Sequence, residues 1–284
     1  MKGPIMKLKL QNYLDDAFKP YGDSPALKDV KQEMLGNLEE RFDDLKTQGL
    51  SDEDAYKQAV DSVGDISEII ETLREGKSGE TTVEGRKLSG LDFSEADLSG
   101  TSLRRANFRG SSLKNSSYVG ADLLEADFRG SDLDGVCFDR ANLTGAKLSA
   151  CSLKGSTFNG SILTDAKFRS CDLSRVNFDG ADLTDTIFTG SSLKEADFTN
   201  AKLLRTNFSQ ADLNGMSFDG LELIGVIFNS ASLTNATFND AILRDVSLRH
   251  TDVRRAIFDG AKIDKLTYAF LKSAKANLNK VTII

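Results

Sequence analysis

The side chains able to do chemistry in this 284-residue chain are few, and their spacing is unusual. There is one histidine, His250, and there are three cysteines, Cys137, Cys151 and Cys171. None stands at the spacing of a C-x-x-C metal site, a Ser–His–Asp set or a phosphate loop. No catalytic, metal or cofactor residue is nominated, and no enzyme is expected. The aspartates behave differently. Asp92, Asp132, Asp172, Asp212 and Asp252 recur every 40 residues, with Ser112, Ser152, Ser192 and Ser232 midway. Asp139, Asp179, Asp219 and Asp259 recur in the same way, with Asn159, Thr199 and Asn239 between them. If the chain coils with a period of half that interval, each set is a ladder of carboxylates on one face. A neutral hydrogen-bonding residue on alternate rungs keeps like charges from stacking directly. These nine aspartates are the candidate interaction face.

Such a coil is written into the apolar residues. Every fifth position from Leu88 to Tyr268 is apolar, 37 in succession without a slip. The series includes Phe108, Phe128, Phe138, Phe158, Phe168, Phe178, Phe188 and Phe198 alternating with residues such as Leu173, Leu183 and Leu193. These form the predicted core. A period of five matches neither a helix nor a strand. It suits a chain that turns a corner after each group, so that four groups close a square coil and coils stack about 4.8 Å apart. Thirty-seven groups give about nine coils and a rod of roughly 45 Å. Two residues before each centre sits a small residue, as at Ala106, Ser111, Ala121 and Ala181. Bulky exceptions there, Val136, Val176, Met216, Leu221, Val226 and Val246, are expected to swell the coil. Gly or a small polar residue should make the corner. In this register Cys151 and Cys171 point inward on adjacent coils as inert thiols. Cys137 faces solvent, and His250 sits at a surface corner.

The consensus A-(D/N)-(L/F)-x-G, repeated from residue 86 to 268, resembles the pentapeptide repeat family. The resemblance implies an all-β solenoid, the right-handed quadrilateral β-helix. It also implies functional possibilities, because some quinolone-resistance members act on DNA gyrase by presenting an acidic face that imitates duplex DNA. Some of those members carry loops that interrupt the coils, and no such insertion occurs between residues 88 and 268. A mimic needs a strong negative field. Residues 86–284 hold 24 acidic and 25 basic residues, a net charge of +1. Arg109, Arg129, Arg169, Arg244, Arg249, Arg254 and Arg255 are dispersed among the acids. This weakens the case for mimicry, and with no basic stripe no nucleic-acid partner is expected either.

The acidity lies in residues 1–85, with 19 acidic and 11 basic residues. Residues 1–76 are predicted to be a helical domain. Leu8, Leu10, Tyr13, Leu14 and Phe18 mark a first helix. Ser24-Pro25 opens a second, carrying Leu27, Val30, Met34, Leu38, Phe42 and Leu45 and stopped by Gly49. Ser51 to Asp54 caps a third, with Ala55, Ala59, Val60 and Val63. Ile66, Ile69, Ile70 and Leu73 mark a fourth. The run from Glu33 to Lys46, with Gly49 to Tyr56 and Gly64-Asp65-Ile66, resembles helical prefix domains of bacterial permeases and regulators, which are regarded as signalling or interaction modules. Residues 77–85 read as a linker. Residues 269–284 read as a cap or tail, in which Phe270, Leu271, Ala274 and Leu278 could line one side of a short helix. Outward Ile227, Ile242 and Ile257 leave a dimer possible. No long apolar run suggests a secretory signal or a membrane span, and a cytoplasmic location is expected. The expected role is a non-enzymatic scaffold that binds a protein not identified by sequence. The alternative is a DNA-mimic modulator of gyrase.

Overall fold

The computed structural model describes residues 3–19, 25–62, 85 and 88–284. The chain divides into two compact units, Met1–Thr81 and Thr82–Ile284.

Among its described residues the first unit holds three helices: α1 (Gly3–Phe18), α2 (Pro25–Thr47) and α3 (Asp52–Ser62). Helical spacing brings Leu10, Leu14 and Phe18 of α1 against Leu38, Phe42 and Leu45 of α2 and Ala55 and Ala59 of α3, all buried. Leu8 does not join them and is 59% exposed. Gly49 has φ +90°, and the amide of Leu50 returns to the Leu45 carbonyl at 3.3 Å, which closes the end of α2. Ser51 Oγ accepts the Asp54 amide at 3.1 Å and starts α3. The predicted fourth helix, Ile66 to Leu73, and all of the predicted linker except Gly85 lie outside the described residues.

The second unit is a parallel, four-sided solenoid. Its rungs pair residues 20 apart in sequence, from Asp92 with Ser112 to Thr237 with Ile257. Taking the chain around the square from Leu88 and numbering the sides 1 to 4, face 1 is backed by Phe108, Phe128, Leu148, Phe168, Phe188, Phe208 and Phe228. Face 2 is backed by leucines from Leu113 to Leu233, face 3 by Tyr118 and the phenylalanines from Phe138 to Phe258, and face 4 by leucines from Leu103 to Leu243. Aromatic columns therefore oppose each other across the interior. Rings stack along a column, as in Phe108–Phe128 at 4.9 Å and 2°, and meet edge-on across it, as in Phe128–Phe138 at 5.7 Å and 74°. On face 4 the pairing becomes regular enough for four short strands, β1 (Glu222–Ile224), β2 (Ile242–Arg244), β3 (Lys262–Ile263) and β4 (Thr282–Ile283), in that order and all parallel.

Corners lie two residues after each centre and are left-handed whatever residue occupies them. Gly120 has φ +66° and Arg140, one coil on, +58°. Arginine, glutamate and aspartate share this position with glycine, so the expectation of Gly or small polar residues was too narrow. The corner is imposed by the rungs that flank it, and these offset the left-handed cost of about 1–2 kcal/mol for a side chain with Cβ.

The five-residue register ends one group earlier than the sequence predicts. Asp264 accepts the amides of Leu266 and Thr267 at 2.8 and 2.9 Å and caps helix α4 (Lys265–Ser273). Tyr268 is therefore helical rather than a coil centre. Leu271 of α4 is buried, and Leu278 packs partly buried on the core. Beyond α4 the chain returns to phase, so that Ile283 pairs with Ile263. The tail is thus both helix and coil, closing an end that would otherwise expose the core.

Candidate interaction faces

The first aspartate ladder stands on face 2, and its carboxylates hold the backbone. Each accepts an amide two residues ahead: Asp92 from Ser94 at 2.9 Å, Asp172 from Ser174 at 3.1 Å, Asp212 from Asn214 at 3.2 Å and Asp252 from Arg254 at 3.1 Å. Asp132 does so from Asp134 at 3.3 Å. These are Asx turns that draw the chain toward its corner. Their charge is largely met on the same face. Lys114 pairs with Asp132 at 2.9 Å, Lys154 with Asp172 at 3.3 Å and Arg254 with Asp252 at 2.6 Å. Arg254 hydrogen bonds hold the Asp252 carboxyl at about 2.

The second ladder, on face 3, is different. Asp139 accepts the Asn159 amide and side chain, each at 3.0 Å, and Asp219 accepts those of Asn239 at 2.7 and 3.1 Å. Asp179 accepts from the Asn200 side chain at 2.9 Å. Desolvation works to raise the Asp139 carboxyl, but hydrogen bonds from Thr157, Asn159 and Cys137 outweigh it and hold it below the usual range. Amides and a hydroxyl thus hold the Asp139 charge without neutralising it. Among the described residues only Asp259 of this ladder meets a cation, Lys280 at 2.5 Å. Outward positions of face 3 also carry Asp97 and Asp197, and from 97 to 259 they carry no Lys or Arg.

The basic residues are sorted as well. Arg109, Arg129, Lys147, Lys167, Arg169 and Arg249 all project from face 1, the side opposite face 3, with Asp127 as the one carboxylate among its outward positions from 107 to 249. Asp127 meets Arg109 at 3.3 Å and Arg129 at 2.5 Å. Lys147 and Lys167 occupy adjacent rungs, a direct like-charge pair, and both are exposed. Face 4 pairs its charges internally, through Arg104–Asp122 at 2.9 Å and Lys202–Asp182 at 3.0 Å. The near-neutral solenoid is therefore basic on one side and acidic on the other. Reading the arginines along the chain made them appear dispersed. Reading the residues flanking every fourth centre, at the 20-residue period, would have found the stripe.

The remaining nominated residues have structural places. The phenylalanine and leucine centres named from sequence are buried. Cys151 and Cys171 are buried and free, and Cys137 is half-buried in the outward rung of face 3. His250 occupies an exposed corner with φ +58°. Ile227, Ile242 and Ile257 lie on three different faces and form no common patch. Among the described residues no group of three His, Cys, Asp or Glu could hold a metal ion, and no helix is long and apolar enough to cross a membrane.

The pentapeptide repeat region model matches residues 121–198, 161–229 and 191–268, together more than half the chain, and the pentapeptide repeats model of eight copies matches residues 81–115. The chain belongs to the pentapeptide repeat family. Among solved structures it is similar to HetL, a pentapeptide repeat protein involved in heterocyst differentiation regulation in the cyanobacterium Nostoc, at 27% identity over 69% of this chain and 95% of that one, TM-score 0.35. It is also similar to a pentapeptide repeat protein of the Arabidopsis thaliana thylakoid lumen, at 26% identity over 39% and 73% of the two chains, TM-score 0.31. A third is QnrB1, a plasmid-mediated fluoroquinolone resistance protein, at 22% identity over 66% and 91%, TM-score 0.31. No curated protein matches the chain. The family matches begin at residue 81 and leave the helical unit unassigned.

Proposed function

We propose that this pentapeptide repeat protein is a non-enzymatic interaction scaffold, a stiff rod that offers partners a charge-sorted pair of faces, with the N-terminal helices as a second docking or sensing module. The observation that carries the reading is the acidic column of face 3. Its carboxylates Asp139, Asp179 and Asp219 accept hydrogen bonds from neutral asparagine donors and, among the described residues, only Asp259 of the ladder meets a cation. Groups needed only to hold the coil could be paired, as Asp132, Asp172 and Asp252 are on face 2. A column of carboxylates with little counter-charge favours a basic partner and raises its encounter rate.

The same column supports a second reading, a DNA-mimic modulator of gyrase, which the neutral total had argued against. The test is to compare the full chain, the D139N/D179N/D219N variant and a chain lacking residues 1–80, both in capture from the native host and in a gyrase supercoiling assay. The scaffold reading expects a partner that the triple variant loses and no effect on supercoiling. Inhibition or protection of gyrase that the triple variant abolishes favours mimicry. Capture unchanged by the triple variant overturns face 3 as the docking side.

A further inference from the structure

The rungs of the solenoid are interrupted at one place. In the coil before it, the amides of Arg175, Phe178, Gly180 and Leu183 reach the carbonyls of Lys194, Asp197, Thr199 and Lys202 at 2.8–2.9 Å, and the amides of Asp197 and Lys202 reach back to Val176 and Ala181 at 2.9 Å. One coil later these six bonds are absent among the described residues. Glu195, Phe198, Asn200 and Leu203 do not reach Asn214, Ser217, Asp219 and Glu222, and Ser217 and Glu222 do not reach back to Ala196 and Ala201. The bridges that would join Asp197 to Ser217 and Lys202 to Glu222 are missing with them. Beyond the gap the ladder resumes, with Thr237 to Met216 and Ile242 to Leu221 both at 2.9 Å.

Other observations mark the same seam. Phe198 and Phe218 stack at 5.9 Å, against 5.4 Å for Phe178–Phe198 and 5.1 Å for Phe218–Phe238. Asp197, Ser217, Lys202 and Glu222 are exposed, whereas Asn177, Asp182, Thr237 and Ile242 at the equivalent positions are half-buried. The opening is one-sided. Leu193 still bonds Asp212 at 3.2 Å before it, and Arg205 bonds Ile224 at 2.8 Å after it.

The cause is in the sequence. Met216 and Leu221 occupy consecutive inward positions where a small residue belongs, directly beyond Ala196 and Ala201. Valine in that position leaves the rungs closed, as Cys137 to Ser116 and Thr157 to Val136, both at 2.9 Å, show. Two longer side chains in adjacent corners exceed what a close-packed interior absorbs, and the coils part.

We propose that the rod is articulated at this seam. The coils up to Leu203 and those from Leu213 onward are two rigid stacks, hinged through faces 1 and 2 and opening on face 3 and its corner with face 4. The seam crosses the acidic column between Asp197 and Asp219, so the two halves of that column can tilt to follow a partner that is not straight. That use rests on the scaffold reading, while the hinge itself does not.

Hydrogen exchange by mass spectrometry tests the hinge on the full chain. The amides of Glu195, Phe198, Asn200, Leu203, Ser217 and Glu222 should exchange at least about tenfold faster than those of Arg175, Phe178, Gly180, Leu183, Thr237 and Ile242 at the equivalent positions, because they lack the ladder partners that those keep. M216A/L221A restores the small residues used elsewhere and should slow exchange at 195–203 to the level of its neighbours. V176A should change nothing at the seam. A236M/A241L, made in the wild-type background, should open a second fast segment one coil further on. Equal protection of 195–203 and 175–183 in the wild type overturns the proposal. So does a fast segment that M216A/L221A leaves unchanged, or the absence of a second one in A236M/A241L.

Discussion

At the scale of single residues, the two inward thiols do the work that hydroxyls do elsewhere in their column. Ser111 donates to the Leu88 carbonyl at 2.7 Å, Ser131 to Phe108 at 2.5 Å and Ser191 to Phe168 at 2.7 Å, each 23 residues back. Cys151 and Cys171 make the same bond, to Phe128 at 2.9 Å and to Leu148 at 2.5 Å. A donor at this position satisfies a carbonyl that the corner buries, and leaving such a group bare costs about 1–3 kcal/mol. Contact with Cys171, and then burial, push the Cys151 thiol up, away from the thiolate form that reacts. C151S should therefore fold with stability within about 1 kcal/mol of wild type, and C151V should lose about 1–3 kcal/mol in denaturant unfolding. A native thiol titration should label Cys137 alone. Rapid labelling of all three would place the pair nearer solvent than the structure does. The inward position of these cysteines was legible from the register, but their carbonyl partners were not, because those lie one coil and one corner away.

At the scale of elements, each coil is held by its centres and spaced by its corners. Phe178 stacks on Phe158 at 5.2 Å and Phe198 at 5.4 Å, and it meets Phe168 and Phe188 edge-on. F178A would leave a ring-sized void with partners on four sides. It should destabilise the solenoid by about 3–5 kcal/mol, measured by chemical denaturation. A loss under about 1 kcal/mol would mean that the coil collapses onto the gap. The sequence made the centres plain because an apolar residue at every fifth position suits a chain that turns a corner after each group. It made the ends and the irregularities less plain. Tyr268 keeps the apolar period yet is helical, because the Asp264 cap outcompetes one more coil, and period alone cannot weigh a cap. The bulky inward residues all looked alike in sequence. In the packed interior, valine fits and the Met216–Leu221 pair does not, a distinction of volume rather than pattern.

At the scale of the molecule, neutrality in total conceals opposition across the rod, and the same carboxylates that sort the charge also set its acid stability. Several aspartates of the solenoid are held below their usual range. Asp127 works against desolvation through Arg129 and Arg109, Asp182 through Thr184 and Lys202, and Asp264 through Thr267 and the Asp245 amide. Asp252, bonded by Arg254, lies at about 2 against an ordinary 3.8. Between those values the unfolded chain takes up a proton that the folded chain refuses, so lowering the pH favours unfolding. The stabilisation is complete above the ordinary carboxylate value and is lost as pH falls through the folded ones. Thermal stability of residues 88–284 within the full chain should thus be unaffected by these carboxylates at neutral pH and above. It should fall steeply between about pH 4 and pH 2. The D139N variant separates the two roles of face 3. Asparagine can still accept the Asn159 amide but cannot titrate, so D139N should start less stable at neutral pH and lose less of its stability on acidification. Parallel acid profiles for variant and wild type would show that the charge of Asp139 contributes nothing to the fold.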